Sequence, residues 1–329
     1  MTNPLFFIAG MSRAGTNWLA KCLNEHPDSA VFGETAFWGR YFVEPGPDGR
    51  YTTEQMRGIV ERLKTTTVQA FGTRGPGSLK HVSVDNISSL LDEAFQNCTE
   101  PMTPKEVFER LAEIITRVEG KHFAIEKTPH HINWIGRIVD HLPMAKFVVL
   151  AREPYGFMLS YKHQGDRKPP RIKESFERLY HPLVCGWIWR TYAKNCYAAA
   201  QRYPDRVHLV RFEDIETNPA TVVQDVERFL GLSPLDLSSK VPPDNSSFPM
   251  EPRPILSSED IFWMNLLARK EMKKHGYPMR PTPIAPWAVA GSIFGLPFWV
   301  IVNVFSLRNN VSGSLWRYIR QWLRPSMSI

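Results

Sequence analysis

Residues Leu5 to Leu23, LFFIAGMSRAGTNWLAKCL, constrain this chain more than any other stretch. Leu5 to Ala9 is an unbroken apolar run, which suits a short parallel strand covered on both faces. Gly10 and Gly15 bracket Met11, Ser12, Arg13 and Ala14, after which Trp18, Leu19, Cys22 and Leu23 recur at helical spacing. A strand, a glycine loop and a helix follow one another. Successive backbone N–H groups and the positive end of a helix then point at one spot, where an anionic phosphate fits. Arg13 adds a planar fork and Thr16 a hydroxyl. The nucleotide triphosphatase version of such a loop has a lysine directly after its second glycine, then a Ser or Thr that holds magnesium. Here Thr16 follows Gly15 at once, and no apolar strand ends in an aspartate to hold that metal, so a magnesium-dependent kinase fits poorly. The plain alternative is a tight turn with a surface arginine.

Further strands follow the same plan. Ala30 to Phe32 leads to Gly33, Glu34 and Thr35, and His122 to Ile125 ends in Glu126, Lys127, Thr128 and Pro129. Ala145 to Ala151 ends at Arg152, and Pro154 then opens a helix that carries Ser160. Val207 to Val210 is a fifth strand. If the strands are parallel, Arg13, Glu34, Lys127 and Arg152 all reach the edge beyond the carboxyl ends of the sheet, where ligands collect in such folds. A carboxylate there could take a proton from an acceptor hydroxyl, and an arginine with a serine two turns along the next helix could hold a second phosphate. Taken singly, each of these groups is an ordinary cap, ion-pair partner or solvated residue. His130 and His131, being adjacent, point in different directions and need not share a metal; they read as caps or supporting groups.

Between these strands the periodicity predicts helices over 54–68, 87–95 and 105–118, with a glycine-rich loop from Gly72 to Gly77 in a connecting or acceptor region. The loop His163 to Lys173 holds four basic residues that could face an acidic acceptor. A long helix through Trp187, Trp189, Tyr192 and Tyr197 reads as core. Helices over 219–230, ended by Gly231, and 259–274 close the body. The 329 residues, 43% hydrophobic and 22% charged, suit one large core. Five of the seven net positive charges are arginines after residue 277, leaving +2 elsewhere, so the body does not read as a nucleic-acid binder. Cys22, Cys98, Cys185 and Cys196 lack metal-ligand spacing and read as free buried thiols. No secretory signal segment is evident at the start, so synthesis into the cytosol is expected.

On these residues the chain resembles the sulfotransferases that use 3′-phosphoadenylyl sulfate (PAPS), from about Leu5 to Tyr277. GxxRxGT at Gly10 to Thr16 is similar to their 5′-phosphosulfate loop, and Arg152 with Ser160 to their 3′-phosphate pair. RFEDIETNPATVVQDVERFLGL, from Arg211 to Leu232, and EKTP, from Glu126 to Pro129, also resemble family segments. The resemblance implies a three-layer α/β fold with a central parallel sheet, like that of P-loop nucleotide triphosphatases. It implies an enzyme with PAPS as co-substrate and no metal. Arg13, Ala14, Gly15, Thr16, Asn17, Trp18, Arg152 and Ser160 would bind the nucleotide, Trp18 by stacking on adenine. Glu34, Lys127 and Arg13 would be catalytic. Arg13 and Glu34 match the branch that acts on protein tyrosines, whereas the late basic glycine motif of the cytosolic branch has no clear counterpart.

Residues 281–307 carry no charge, and arginines at 308, 317, 320 and 324 follow. The stretch is long enough to span a bilayer. Gly295 and Pro297 interrupt it, and spanning would export the arginines from a cytosolic protein. A kinked segment that enters and returns, or lies in, one leaflet is therefore expected. Leu315 to Arg324 would form a basic amphipathic helix on anionic lipid. The expected division is a sulfotransferase domain over 1–278 and a membrane-associating tail over 279–329, peripheral or monotopic on a cytoplasmic membrane face. The acceptor would be a small molecule, glycan or lipid, sulfated on a hydroxyl or an amine; no nucleic-acid partner is expected and oligomer formation stays open. The competing readings are a P-loop kinase, a membrane-anchored protein that binds PAPS or its product without transfer, and a tail packed on the body or a second subunit.

Overall fold

The computed structural model describes residues 5–66, 79–83, 85–96, 100–241, 247–248, 251–283 and 286–308. Five strands form one sheet: β1 (Phe6–Gly10), β2 (Ser29–Gly33), β3 (Phe123–Lys127), β4 (Lys146–Ala151) and β5 (Val207–Arg211). Their order is β2-β3-β1-β4-β5, and every pairing is parallel. Parallel strands need crossovers, and helices supply them. The first four are α1 (Thr16–Asn24), α2 (Thr53–Thr66), α3 (Ile87–Gln96) and α4 (Pro104–Glu119). After β3 come a 3₁₀ turn (Pro129–Trp134) and α5 (Ile135–His141). After β4 come α6 (Pro154–Lys162), α7 (Pro170–Leu179) and α8 (Pro182–Arg202). The chain ends through α9 (Phe212–Thr217), α10 (Pro219–Leu230), α11 (Ser258–Lys274) and α12 (Pro286–Arg308).

The apolar runs explain the layering. Every residue of β1 and β2 is buried, so both sheet faces must be covered. Phe7 of β1 stacks on Phe147 of β4 at 5.2 Å and on Phe108 of α4 at 5.6 Å between centroids, which ties sheet to helix. Helix α4 is delimited as its sequence demands: Thr103 and Glu106 form a reciprocal capping box, and Gly120 closes the other end in a left-handed conformation. Because β1 is central and its neighbours β3 and β4 lie on opposite sides, the chain reverses its winding direction there. That switch point opens a crevice at the carboxyl ends of the strands.

Three elements depart from the sequence expectation. The loop expected over 163–173 stops at Pro169, because Pro170, with its backbone preset for the first helical position, starts α7. The short helix α9 follows β5 directly. The apolar segment forms one helix through Gly295 and Pro297, so it does not turn back at those residues. The glycine-rich loop from Gly72 to Gly77, Cys98 and the amphipathic stretch Leu315 to Arg324 lie outside the described residues. Cys22, Cys185 and Cys196 are buried free thiols.

Candidate functional site

The crevice is floored by Gly10, whose φ of +124° and whose contact with the Leu150 backbone leave no room for a side chain. Met11 N–H donates to the Leu150 carbonyl at 2.8 Å, pinning the start of the loop to β4. Arg13 then sits at φ 67°, a left-handed conformation costly for any residue but glycine, and Gly15 at φ 85° precedes α1. Among the described residues no side chain caps α1, which leaves its first N–H groups open to a ligand.

Arg13 faces Ser160 across the crevice. Its Nε donates to the Ser160 hydroxyl at 3.2 Å, and its Nη2 donates to the Ser247 hydroxyl. The two serine hydroxyls are 2.7 Å apart. Arg152 donates from Nη1 to the Arg13 carbonyl at 2.7 Å and lies 3.9 Å over the Phe212 ring. Two cationic forks are thus partly desolvated side by side. Burial lowers the pKa of both, and the charge of Arg152 lowers that of Arg13 further. An anion with several oxygens is what such a pair would stabilise. Of the other loop residues, Ala14 and Thr16 are buried and Asn17 is exposed. Trp18 is held by its indole N–H donating to the Val241 carbonyl at 2.9 Å.

The second cluster lies on the same edge, at the ends of β2 and β3. Gly33 is paired in register with Lys127, and its approach to the Lys127 carbonyl tolerates no Cβ. That close approach brings Glu34 against Lys127, whose ammonium forms an ion pair with Glu34 Oε1. The Lys127 side chain is 0% exposed and that of Glu34 43%. The cation therefore faces inward and the carboxylate faces the opening. Thr128 N–H donates to the Ile8 carbonyl at 3.2 Å, which ties this cluster to the strand that feeds the glycine loop.

Several groups here escape sequence reasoning. Glu126, on the opposite face of β3 from Lys127, is buried. Its Oε1 accepts from the Thr35 N–H at 3.1 Å, from the Thr35 hydroxyl at 2.8 Å and from the Thr128 hydroxyl. Its Oε2 lies 2.9 Å from Nδ1 of His131. Burial pushes the Glu126 pKa up, but His131 and the hydroxyl hydrogen bonds outweigh it and hold the group below the ordinary carboxylate value. One carboxylate thereby fixes the residues that follow both Glu34 and Lys127. A charge inside an apolar strand was the available signal. Ser247 gave none, since its partner Arg13 is distant in sequence. His130 meets the Tyr192 hydroxyl, a supporting contact.

Glu126→Gln keeps the shape and removes the charge. It is expected to lower turnover about 10- to 100-fold by loosening this geometry, with little change in donor KM. The lowered pKa also sets the sign for stability: the contribution of Glu126 is complete above the ordinary carboxylate range and is lost as pH falls through the folded-state value. Denaturant titrations of wild type and variant should therefore converge in acid; equal stability at neutral pH would contradict the network.

Residues 4–236 match a sequence family described as "Sulfotransferase family". No curated protein matches the sequence significantly. Among solved structures, the sulfotransferase domain of the Synechococcus PCC 7002 olefin synthase is similar at 17% identity and a TM-score of 0.53, over 85% of this chain and 98% of that one. A sulfotransferase from Alicyclobacillus acidocaldarius shows 19% identity and a TM-score of 0.47, over 83% and 94%. One from Mycobacterium avium shows 11% and 0.49, over 85% and 78%. At such identities the first likeness concerns the fold.

Proposed function

Because the chain belongs to the sulfotransferase family, we propose that it moves a sulfuryl group from PAPS to a hydroxyl of a small-molecule, glycan or lipid acceptor. The observation that carries this reading is the Glu34–Lys127 ion pair, set on the sheet edge that also bears Arg13 and Arg152. The crowded guanidinium groups and the uncapped α1 suit a donor with two phosphate groups. Arg152 and Ser160 would hold its 3′-phosphate. Arg13, the N–H groups of Ala14, Gly15 and Thr16, the Thr16 hydroxyl and Asn17 would hold the 5′-phosphosulfate, with Trp18 against the adenine. The donor supplies an activated sulfuryl group whose charge is lower than that of a phosphoryl group.

Glu34 is the base: its exposed carboxylate takes the proton as the acceptor oxygen bonds to sulfur. The electron pair of the broken S–O bond stays on the departing 5′-phosphate. Lys127, shut away from solvent, and Arg13 stabilise that charge, a preorganised arrangement that needs little reorganisation during reaction. The catalytic domain extends over 1–278, and 279–329 is a membrane-associating tail on a cytoplasmic face. In support, α12 is long and apolar enough to cross a membrane by length and composition.

Incubation of the purified chain with ³⁵S-labelled PAPS, membrane extract and soluble hydroxyl compounds should yield a labelled product that gains one sulfuryl group by mass spectrometry. Nucleotide binding without turnover across that panel would overturn transfer and leave a binding protein.

A further inference from the structure

The polarity of α12 is inverted. Ser292, Trp299 and Asn303, spaced seven and four residues apart, share one stripe at 3.6 residues per turn. This stripe, largely polar, faces the protein. Trp263 donates to the Ser292 hydroxyl at 2.8 Å, and His181 Nε2 lies 3.2 Å from the Ser292 carbonyl. The His181 ring meets Trp299 edge-on at 5.7 Å, and the Asn303 amide donates to the Arg178 carbonyl of α7 at 3.3 Å. Trp287, Phe294, Phe298 and Ile301 fall on the opposite stripe and are 89%, 83%, 73% and 55% exposed. A helix surrounded by water turns its large apolar side chains inward and its amides outward. Here the apolar side faces away from the protein.

Resting on the reading of 279–329 as a membrane-associating tail, we infer that α12 is a rail clamped to the catalytic body and sunk sideways into one leaflet of a lipid bilayer. The clamp decides between lying and spanning. Contacts from Ser292 to Asn303 hold roughly 16 Å of helix along the flank of a folded domain, and a helix crossing the bilayer would have to leave that flank. The surroundings match an anionic lipid surface. Arg167, Lys168 and Arg171 are exposed just before and within α7, and the far end of α7 meets α12. No acidic residue follows Glu271, whereas five arginines follow residue 277. The clamp also fixes the orientation of the body toward the lipid: α7 leads back through the 163–169 connection to His163, whose ring meets Phe248 beside Ser247. The phosphate site and the lipid-facing helix are thus joined by one short run of contacts.

Flotation of the full chain with vesicles of phosphatidylcholine alone, or with phosphatidylserine added, tests this. The wild type should float, more strongly with the anionic lipid, and the triple variant Phe294→Ser, Phe298→Ser, Ile301→Ser should bind at least about tenfold less. The triple variant should retain PAP affinity by calorimetry, which separates loss of docking from loss of the nucleotide site; turnover on soluble acceptors is read separately. Environment-sensitive dyes placed by Phe294→Cys and Ser292→Cys distinguish the mode of insertion. The dye at 294 should be quenched by lipid-borne quencher and the dye at 292 shielded. Equal quenching of both, as a spanning or detached helix would give, overturns the proposal. So does absence of flotation together with a dimer, seen by sedimentation, that the triple variant abolishes.

Discussion

Glu34→Gln is expected to lower kcat by about 10²- to 10⁴-fold, with donor KM nearly unchanged. The amide is isosteric but cannot take the acceptor proton. Glu34→Gln also removes the counter-charge of the buried Lys127 ammonium, so some stability should be lost along with turnover. Lys127→Ala also empties a buried site, so both turnover and stability should fall, stability by more than in Glu34→Gln. If the pair works as a unit, the double variant will be no slower than the slower single variant. Full activity in Glu34→Gln would remove Glu34 as the base and return the role to another group on the rim.

Much of this arrangement was legible because parallel sheets convert linear patterns into positions. The apolar runs at 5–9, 30–32, 122–125, 145–151 and 207–210 each lead to a charged residue, directly or after a glycine turn, and the all-parallel pairing carries those ends to one edge. Arg13, Glu34, Lys127 and Arg152 therefore fell within reach of sequence reasoning, although strand order did not. What stayed hidden depends on contacts between residues remote in sequence. Ser247 meets Arg13 and Ser160 only after residues 247–248 fold back over the glycine loop. Glu126 stands beside Lys127 in the EKTP segment, yet strand alternation turns it away from Lys127 toward the hydroxyls of Thr35 and Thr128. Periodicity has least to say about α9, only six residues long, or about α12, where apolar residues on every side conceal which face meets the body.

Arg152→Ala is expected to raise the donor KM about 10- to 100-fold, the loss of charge-assisted hydrogen bonds worth about 1.5–3 kcal/mol. Arg152 has two tasks that one substitution removes together. Its guanidinium would bind the 3′-phosphate, and its Nη1 already holds the Arg13 carbonyl, on the residue kept in a left-handed conformation. Without that restraint the loop can relax and Arg13 can swing from Ser160, so some kcat should be lost even at saturating donor. Arg152→Lys separates the tasks: a lysine preserves the charge but cannot present a planar fork to two acceptors while lying over Phe212. It should recover part of the affinity in low salt and lose some of it again as salt screens a lone point charge. Calorimetric titration with PAP at two ionic strengths, beside kinetics on a soluble acceptor, reads both effects. An unchanged KM in Arg152→Ala would mean that the second phosphate lies elsewhere, and the pairing of Arg152 with Ser160 would have to be abandoned.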